Sequence, residues 1–184
     1  LPPQANLLIS VSRLDPEKRV PTMLEGFRRA AAERPMGLMM FGRGSLEKRL
    51  RRLIDATPGA RLAGYVGGRQ EMATAMASAD GLLHGSAAET YGLVVAEAIC
   101  SGVPVIVPDR GGAAALAGPG YAETYAAGDA GACSKAILRL LGRDREALRH
   151  GCAAAAEDIG TMEGHFEQLF ALYESMSHRG PRSL

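Results

Sequence analysis

The chain has 184 residues, of which 47% are hydrophobic, and its 21 Lys and Arg residues are balanced by 20 Asp and Glu residues. This length and apolar content predict one globular domain and exclude a disordered chain, while the formal net charge of +1 argues against a nucleic-acid binder. The three cysteines lie far apart with no C-x-x-C pair, so a disulfide scaffold or zinc knuckle is not indicated, and we expect a cytoplasmic protein.

Short apolar runs alternate with helical patterns along the chain. In order, the predicted strands are residues 6–12, 37–42, 60–66, 80–86 with its exit loop, 103–108 and the weaker 120–127. The predicted helices are residues 20–34, 45–56, 69–79, 91–101, 129–142, 145–159 and 161–176. Because strands and helices alternate at a spacing typical of right-handed crossovers, we expect an α/β fold with a Rossmann-like, doubly wound parallel sheet.

The two ends of the chain differ from its interior. The first residue is Leu1, followed by two prolines, and this start indicates a segment of a longer chain that is cut at a linker. Residues 1–184 are then expected to be a single domain, with residues 178–184 as a flexible tail.

Two carboxylates flank a predicted helix start in the stretch HGSAAETYGLVVAEAICSGVPVIVP. Glu89 precedes the helix and Glu97 lies within it, about 10 Å further along at the helical rise per residue. The helix N-terminus between them offers backbone N–H groups and a positive dipole end to an anion, at Gly92, Leu93 and Val94. Two hydroxyl-binding carboxylates on either side of a phosphate site suit a sugar–diphosphate–ribose molecule, bound at the carboxyl edge of the sheet.

Other segments bring charges or close backbone to the same edge. Arg13 and Lys18 follow the first strand and can neutralise a diphosphate with no metal. Glycine turns allow the backbone to approach a ligand, and a planar base can lie against one of them beside a tyrosine. These candidates are Gly42 and Gly44 in FGRGS, Gly64 and Tyr65 in LAGYVGG, and Gly111 and Gly112 in PDRGGAAAL.

The ordered set SRL…EK, FGRGS, GYV and E-x-x-G-L-x-x-x-E-A-x-x-x-G-x-P-V resembles the C-terminal, donor-binding domain of family 4 retaining glycosyltransferases, which have the GT-B fold. The resemblance implies that Glu89 faces the hydroxyls of the transferred sugar and that Glu97 holds the ribose hydroxyls. It implies that Arg13 and Lys18 grip the diphosphate, while the backbone of the helix start binds phosphate or sugar oxygens. The nucleotide-sugar is the donor substrate, and no cofactor or metal is expected.

The resemblance also implies partners for the whole protein. A glycan or lipid acceptor would be held by an N-terminal domain that this segment lacks, so the segment alone is expected to be inactive. The basic stretch KRLRR, residues 48–52, is expected to be a solvated helix face, with peripheral contact to an acidic membrane as a second interpretation. In that case the cytoplasmic protein would work at the inner face of the membrane.

The sequence departs from the family pattern at one place, and several residues have an alternative structural interpretation. The run Ala113–Ala115 stands where family members often carry an acidic residue, so no side-chain contact is expected from that loop. Glu97 can be a solvated helix residue, Glu89 a helix cap, and Arg13 and Lys18 loop charges. For the function, the alternatives are a sugar-nucleotide epimerase, a phosphorylase on the same fold, or a catalytically inactive nucleotide-binding module.

His84 follows two leucines at the end of a predicted strand. We expect it to be a satisfied interior histidine and give it no role in catalysis.

Overall fold

The computed structural model describes residues 4–159, which form a six-stranded parallel sheet with helices on both faces. The strands are β1 (Asn6–Val11), β2 (Met36–Phe41), β3 (Ala60–Gly64), β4 (Gly81–Leu83), β5 (Val105–Pro108) and β6 (Ala122–Tyr125). The helices are α1 (Val20–Ala31), α2 (Glu47–Asp55), α3 (Arg69–Ala77), α4 (Leu93–Cys100), α5 (Gly112–Ala115), α6 (Ala130–Leu141) and α7 (Arg145–Ile159). The predicted helix 161–176 and the tail 178–184 lie outside the described residues.

The strand order is β3-β2-β1-β4-β5-β6, and every neighbouring pair is parallel. The chain runs outward from β1 to β3, then returns to the other side of β1 and runs outward again to β6. Between β1 and β4 the direction of winding reverses, so the loops that leave these two strands diverge and open a crevice. The expected Rossmann-like, doubly wound α/β fold is confirmed.

Both faces of the central strands are largely buried, which explains why β1, β2, β4 and β5 are mainly apolar runs, whereas the edge strands β3 and β6 carry exposed residues. Adjacent residues of a strand point to opposite faces, so Leu8 packs in the core under α1, α2 and α6, while Ile9 packs in the core under α3, α4 and α7. Both side chains are almost completely buried. One strand therefore contributes to two separate cores.

α1 packs closely against α6, and its start lies beside the carboxyl end of β4. A Cβ on Gly26 would lie only 2.7 Å from Cys133 Sγ, so the two helices approach closely where a side chain is absent. A turn of 3-10 helix (Pro16–Lys18) precedes α1, and the chain enters α1 through Arg19, a non-glycine residue with a φ of +48°. At this junction the Lys18 carbonyl oxygen lies against Gly85, just after β4, so closely that a Cβ on Gly85 would overlap it.

Several boundaries differ from the predicted ones because glycines with positive φ set where elements begin. The predicted helix 91–101 starts only at Leu93, since Gly92 is left-handed with a φ of +92°. The four-residue helix α5 was not predicted; it follows Gly111, whose φ is +79°. Within residues 4–159, no helix combines the length and apolar character needed to cross a membrane.

Candidate functional site

A cleft of about 1080 Å³ opens at the carboxyl ends of the central strands. Its walls come from the exit of β1 at Val11–Arg13, the exit of β2 at Phe41–Arg43, and the loop and helix Glu89–Glu97. This is the point at which the strand order reverses, where open α/β sheets bind their ligands. The volume is large enough for a ligand of the size of a nucleotide-sugar.

An ion pair crosses the cleft between the loop after β1 and the loop after β4. Lys18 Nζ donates a hydrogen bond to Glu89 Oε1 at 2.6 Å, and the side chains are only 14% and 23% exposed. Burial opposes ionisation of Glu89, but the hydrogen bond and charge of Lys18 outweigh it and lower the pKa of the carboxyl. Glu89 is therefore a carboxylate at neutral pH, next to a fixed ammonium.

The N-terminus of α4 faces the same cleft. Gly92 is its N-cap, no side chain caps it, and the first turn carries no acidic residue. The Gly92 carbonyl accepts from Val95 N–H at 2.9 Å and Ala96 N–H at 3.1 Å, whereas Leu93 and Val94 precede the helix's own bonds. Gly92, Leu93 and Val94 all line the cleft, so this positive helix end is offered to a ligand.

Glu97 lies one turn further along α4, and its exposed side chain lines the cleft rather than the outer wall. Its carboxylate makes no hydrogen bond or ion pair with the other residues that the structure describes, whereas its backbone carbonyl accepts from Ser101. Glu89 and Glu97 thus stand on either side of the helix start, in the arrangement that the sequence predicted.

Arg13 lines the cleft but is largely turned to solvent. Its guanidinium contacts Asp15 at 3.2 Å and Glu17 at 3.1 Å, and its side chain is 73% exposed. The interpretation of Arg13 as a loop charge paired with neighbouring carboxylates describes this arrangement, whereas Lys18 pairs with Glu89 instead.

Gly42 and Gly44 join the loops after β1 and β2. A Cβ on Gly42, whose φ is +145°, would overlap the Ser12 carbonyl oxygen, and a Cβ on Gly44 would lie 2.5 Å from Leu14 N. Leu14 N–H in turn donates to the Arg43 carbonyl at 2.8 Å. Gly42 lines the cleft and Gly44 does not, so Gly44 acts by letting the two loops touch.

Gly111 and Gly112 support the Glu89 loop from behind and do not line the cleft. Gly112 N–H donates to the Glu89 carbonyl at 2.7 Å, and a Cβ there would overlap the Thr90 carbonyl oxygen. The sequence indicates this glycine pair as a place where the backbone approaches a ligand, but the Gly112 N–H is already used within the protein and the close approach is to the Glu89 loop. Ala113, which follows the pair, is buried in the core.

The third edge of the cleft follows β3. Gly64 does not line the cleft; with a φ of +88° it turns the chain and accepts a hydrogen bond from Gly42 N–H at 2.8 Å. Tyr65 does line it, is 63% exposed, and has the Arg43 guanidinium 5.3 Å from its ring centroid. An exposed ring beside a planar cation is a surface on which a base can stack.

His84 is the site residue that the sequence reasoning underrated. It is 2% exposed and lines the cleft, and its Nε2 lies 3.6 Å from Glu89 Oε1. The expected burial is present, but Nε2 has no hydrogen-bond partner among the described residues. Its position directly after β4, at the edge where ligands bind, was the available signal.

No group of three or more His, Cys, Asp or Glu side chains within residues 4–159 is placed to hold a metal ion. The polar groups that line the cleft include the Lys18–Glu89 ion pair, the Glu97 carboxylate, the His84 imidazole and the N-terminus of α4, together with the guanidinium groups of Arg13 and Arg43. Such a set can bind hydroxyls and a polyanion at neighbouring positions.

The chain is similar to known proteins over most of its length. The chain is similar to a GDP-mannose-dependent alpha-mannosyltransferase of Mycolicibacterium smegmatis, with 33% identity over 177 residues, or 95% of this chain and 44% of the relative. A protein of the same description from Mycobacterium tuberculosis is 42% identical over 102 residues, or 55% of this chain and 25% of the relative. The chain thus spans less than half the length of these curated relatives.

Solved structures share the fold. The pneumococcal O-GlcNAc transferase GtfA, in complex with UDP and GlcNAc, superposes with a TM-score of 0.76 and 25% identity, over 95% of this chain and 37% of the other. The family model for "Glycosyl transferases group 1" matches residues 1–158. The resemblance inferred from the motifs is confirmed, and the chain belongs to the group 1 glycosyl transferases.

Proposed function

We propose that this domain binds a nucleoside-diphosphate sugar and serves a retaining hexosyltransferase. The observation that carries the proposal is the convergence of Lys18, Glu89, Glu97 and the N-terminus of α4 on one cleft at the switch point of the sheet. The helix end and Lys18 supply positive charge for the diphosphate, and an ammonium has three donors, so Nζ can keep Glu89 and still reach a phosphate oxygen. Glu97 takes the ribose hydroxyls and Glu89 the sugar hydroxyls.

In the reaction proposed, the bond between the anomeric carbon and the diphosphate oxygen breaks through an oxocarbenium-like transition state. The acceptor oxygen bonds to the anomeric carbon on the same face, and the acceptor proton passes to the leaving diphosphate. Negative charge develops on the leaving group as the bond breaks. Fixed positive charge at Lys18 and the helix end stabilises that charge, which is the main protein contribution in this scheme, and no metal is required.

The donor and acceptor are proposed more narrowly from the relatives. GDP-mannose is the first donor to test, since the two curated relatives are described as dependent on it. The acceptor, a glycan or lipid, would approach across the open side of the cleft, held by a further N-terminal domain. Peripheral membrane contact through the exposed basic face of α2 stays a prediction.

The test is calorimetric titration of the folded chain with GDP, UDP and ADP. Glu97→Gln and Lys18→Met are each expected to weaken binding of the preferred nucleotide about tenfold or more, because each removes a charge-assisted contact. Glu146→Gln on α7 and Lys48→Met on α2 are the matched controls, since both side chains are exposed and neither lines the cleft. Binding that is absent, or equally unaffected in all four variants, overturns the proposal. Retention is tested by the anomeric coupling constant of the transfer product.

A further inference from the structure

The imidazole of His84 is a buried polar group that the proposed function leaves without a task. Its backbone is fully engaged, because His84 N–H donates to the Ile106 carbonyl at 2.9 Å and its carbonyl accepts from Tyr125 Oη at 2.7 Å. These bonds fix where the ring stands, yet Nε2 has no partner among the described residues. A buried nitrogen that bonds nothing is costly, and such groups in folded proteins call for an explanation.

The charge state of the ring restricts what it can bind. Burial lowers the pKa of His84 to about 4; the charge of Glu89 and the backbone of Ser86 act in the opposite direction, and Lys18 adds to the lowering. At neutral pH the ring is therefore uncharged and has one N–H donor and one acceptor nitrogen. It does not form an ion pair with Glu89 in this state.

The neighbours of Nε2 select among ligand groups. Glu89 Oε1 is 3.6 Å away, too long for a hydrogen bond to the ring, and that oxygen already accepts from Lys18 Nζ. A phosphate at this place would meet the Glu89 carboxylate and no cationic ring, so an anion is disfavoured. A hydroxyl suits it, because a hydroxyl can pair with an uncharged ring nitrogen either as donor or as acceptor, and a sugar hydroxyl beside it can donate to the carboxylate.

We propose that His84 Nε2 binds a hydroxyl of the transferred sugar together with Glu89, and so helps to select which hexose the cleft accepts. The inference rests on the proposed function and deepens it, since it assigns a further residue to the sugar end of the donor. His84 lines the cleft although it is only 2% exposed, and its Nε2 lies 3.6 Å from Glu89 Oε1, so a hydroxyl bound there would lie beside both groups. The diphosphate and base, held by the α4 N-terminus and the Tyr65 edge, are not touched by this ring.

The test uses two substitutions that differ in which ring nitrogen they replace. The amide nitrogen of His84→Gln reaches the Nε2 position, whereas that of His84→Asn reaches only the Nδ1 position. GDP and GDP-mannose are titrated into the chain and both variants, with UDP and UDP-glucose as a second pair, and melting temperatures report folding. Asn is expected to weaken the nucleotide-sugar about tenfold while the bare nucleotide changes less than twofold, and Gln is expected to keep both affinities near those of the unchanged chain.

The outcomes separate this inference from the function on which it rests. If the unchanged chain binds no nucleotide and no nucleotide-sugar, the proposed function fails and the inference fails with it. If the unchanged chain binds both ligands, the proposed function survives. The role of His84 is then refuted if the Asn variant loses affinity equally for the nucleotide and the nucleotide-sugar, or loses affinity for neither of them. Should the Asn variant not fold, the Gln variant decides: a Gln variant that binds GDP normally but loses the sugar-dependent part of the affinity contradicts the role assigned to Nε2.

Discussion

The ion pair between Lys18 and Glu89 should be worth much more than an ordinary surface pair. Its N–O distance is 2.6 Å, and both side chains are more than three-quarters buried. A hydrogen bond to a charged group contributes about 1.5–3 kcal/mol when it is shielded from water. Lys18→Met leaves the Glu89 carboxylate without its cation, so we expect the free energy of unfolding to fall by about 1–3 kcal/mol.

A double-mutant cycle isolates the pair from other effects of each substitution. Lys18→Met, Glu89→Gln and the combined variant are unfolded in urea at pH 7, and the coupling energy is expected to be about 1.5 kcal/mol. The matched control is the pair of Glu47 and Arg51 on α2, at 3.0 Å with side chains 32% and 47% exposed, where i,i+4 coupling should be at most about 0.5 kcal/mol. A coupling energy at Lys18 and Glu89 no larger than the control refutes the reasoning.

The same cycle has a defined pH dependence. Burial raises the pKa of Glu89, but Lys18 lowers it by more, so the pKa is lowered overall. The ion pair therefore stabilises the fold at pH values above 4.5, the ordinary pKa of Glu. Below that value the unfolded chain takes up the proton first, and the stabilisation decreases until the folded carboxyl is also protonated. The coupling energy should therefore shrink as the pH falls below 4.5. A coupling energy that grows in acid contradicts the assignment.

Three further predictions concern the frame around the site. Gly112→Ala, whose Cβ would overlap Thr90, should cost about 1–3 kcal/mol in urea unfolding and weaken nucleotide binding, whereas Gly120→Ala, with no atom nearer than 3.8 Å, should change neither. Phe27→Ala removes a fully buried ring and should cost about 3–5 kcal/mol; a loss below 1 kcal/mol speaks against the packing described. Asp129→Ala removes the side chain that accepts from Gly131 N–H and Ala132 N–H at the start of α6, and these backbone bonds lower the pKa of Asp129. The substitution should therefore lower the melting temperature at pH 7 but change it little in acid, where Asp129 is protonated.

The sequence was most informative where one physical signal decides the structure. The mainly apolar runs are the buried central strands of the sheet. A helix start lies between Glu89 and Glu97, so their shared cleft follows from helical geometry and sheet topology. The strand order was not predicted, because it depends on which connection brings the chain back to the other side of β1. No local sequence pattern specifies that connection.

The glycine turns were harder to interpret because a glycine can serve a ligand or a neighbouring backbone equally well. Gly42 lines the cleft, but Gly44, Gly64 and Gly112 give their space or hydrogen bonds to other loops. Such contacts between loops join residues 22 to 30 positions apart, so a local motif does not reveal them. His84 was underrated for a related reason: burial was predictable from the leucines before it, whereas the missing partner of Nε2 is a property of the assembled site.

The most direct test of the account is a crystal structure of the chain with GDP bound. We predict the diphosphate at the N-terminus of α4, within hydrogen-bond distance of Leu93 or Val94 N–H and of Lys18 Nζ, with the ribose hydroxyls on Glu97 and the base beside Tyr65. A diphosphate bound away from α4, or a ribose that leaves Glu97 untouched, contradicts the central claim that two carboxylates and a helix end form one nucleotide-sugar site.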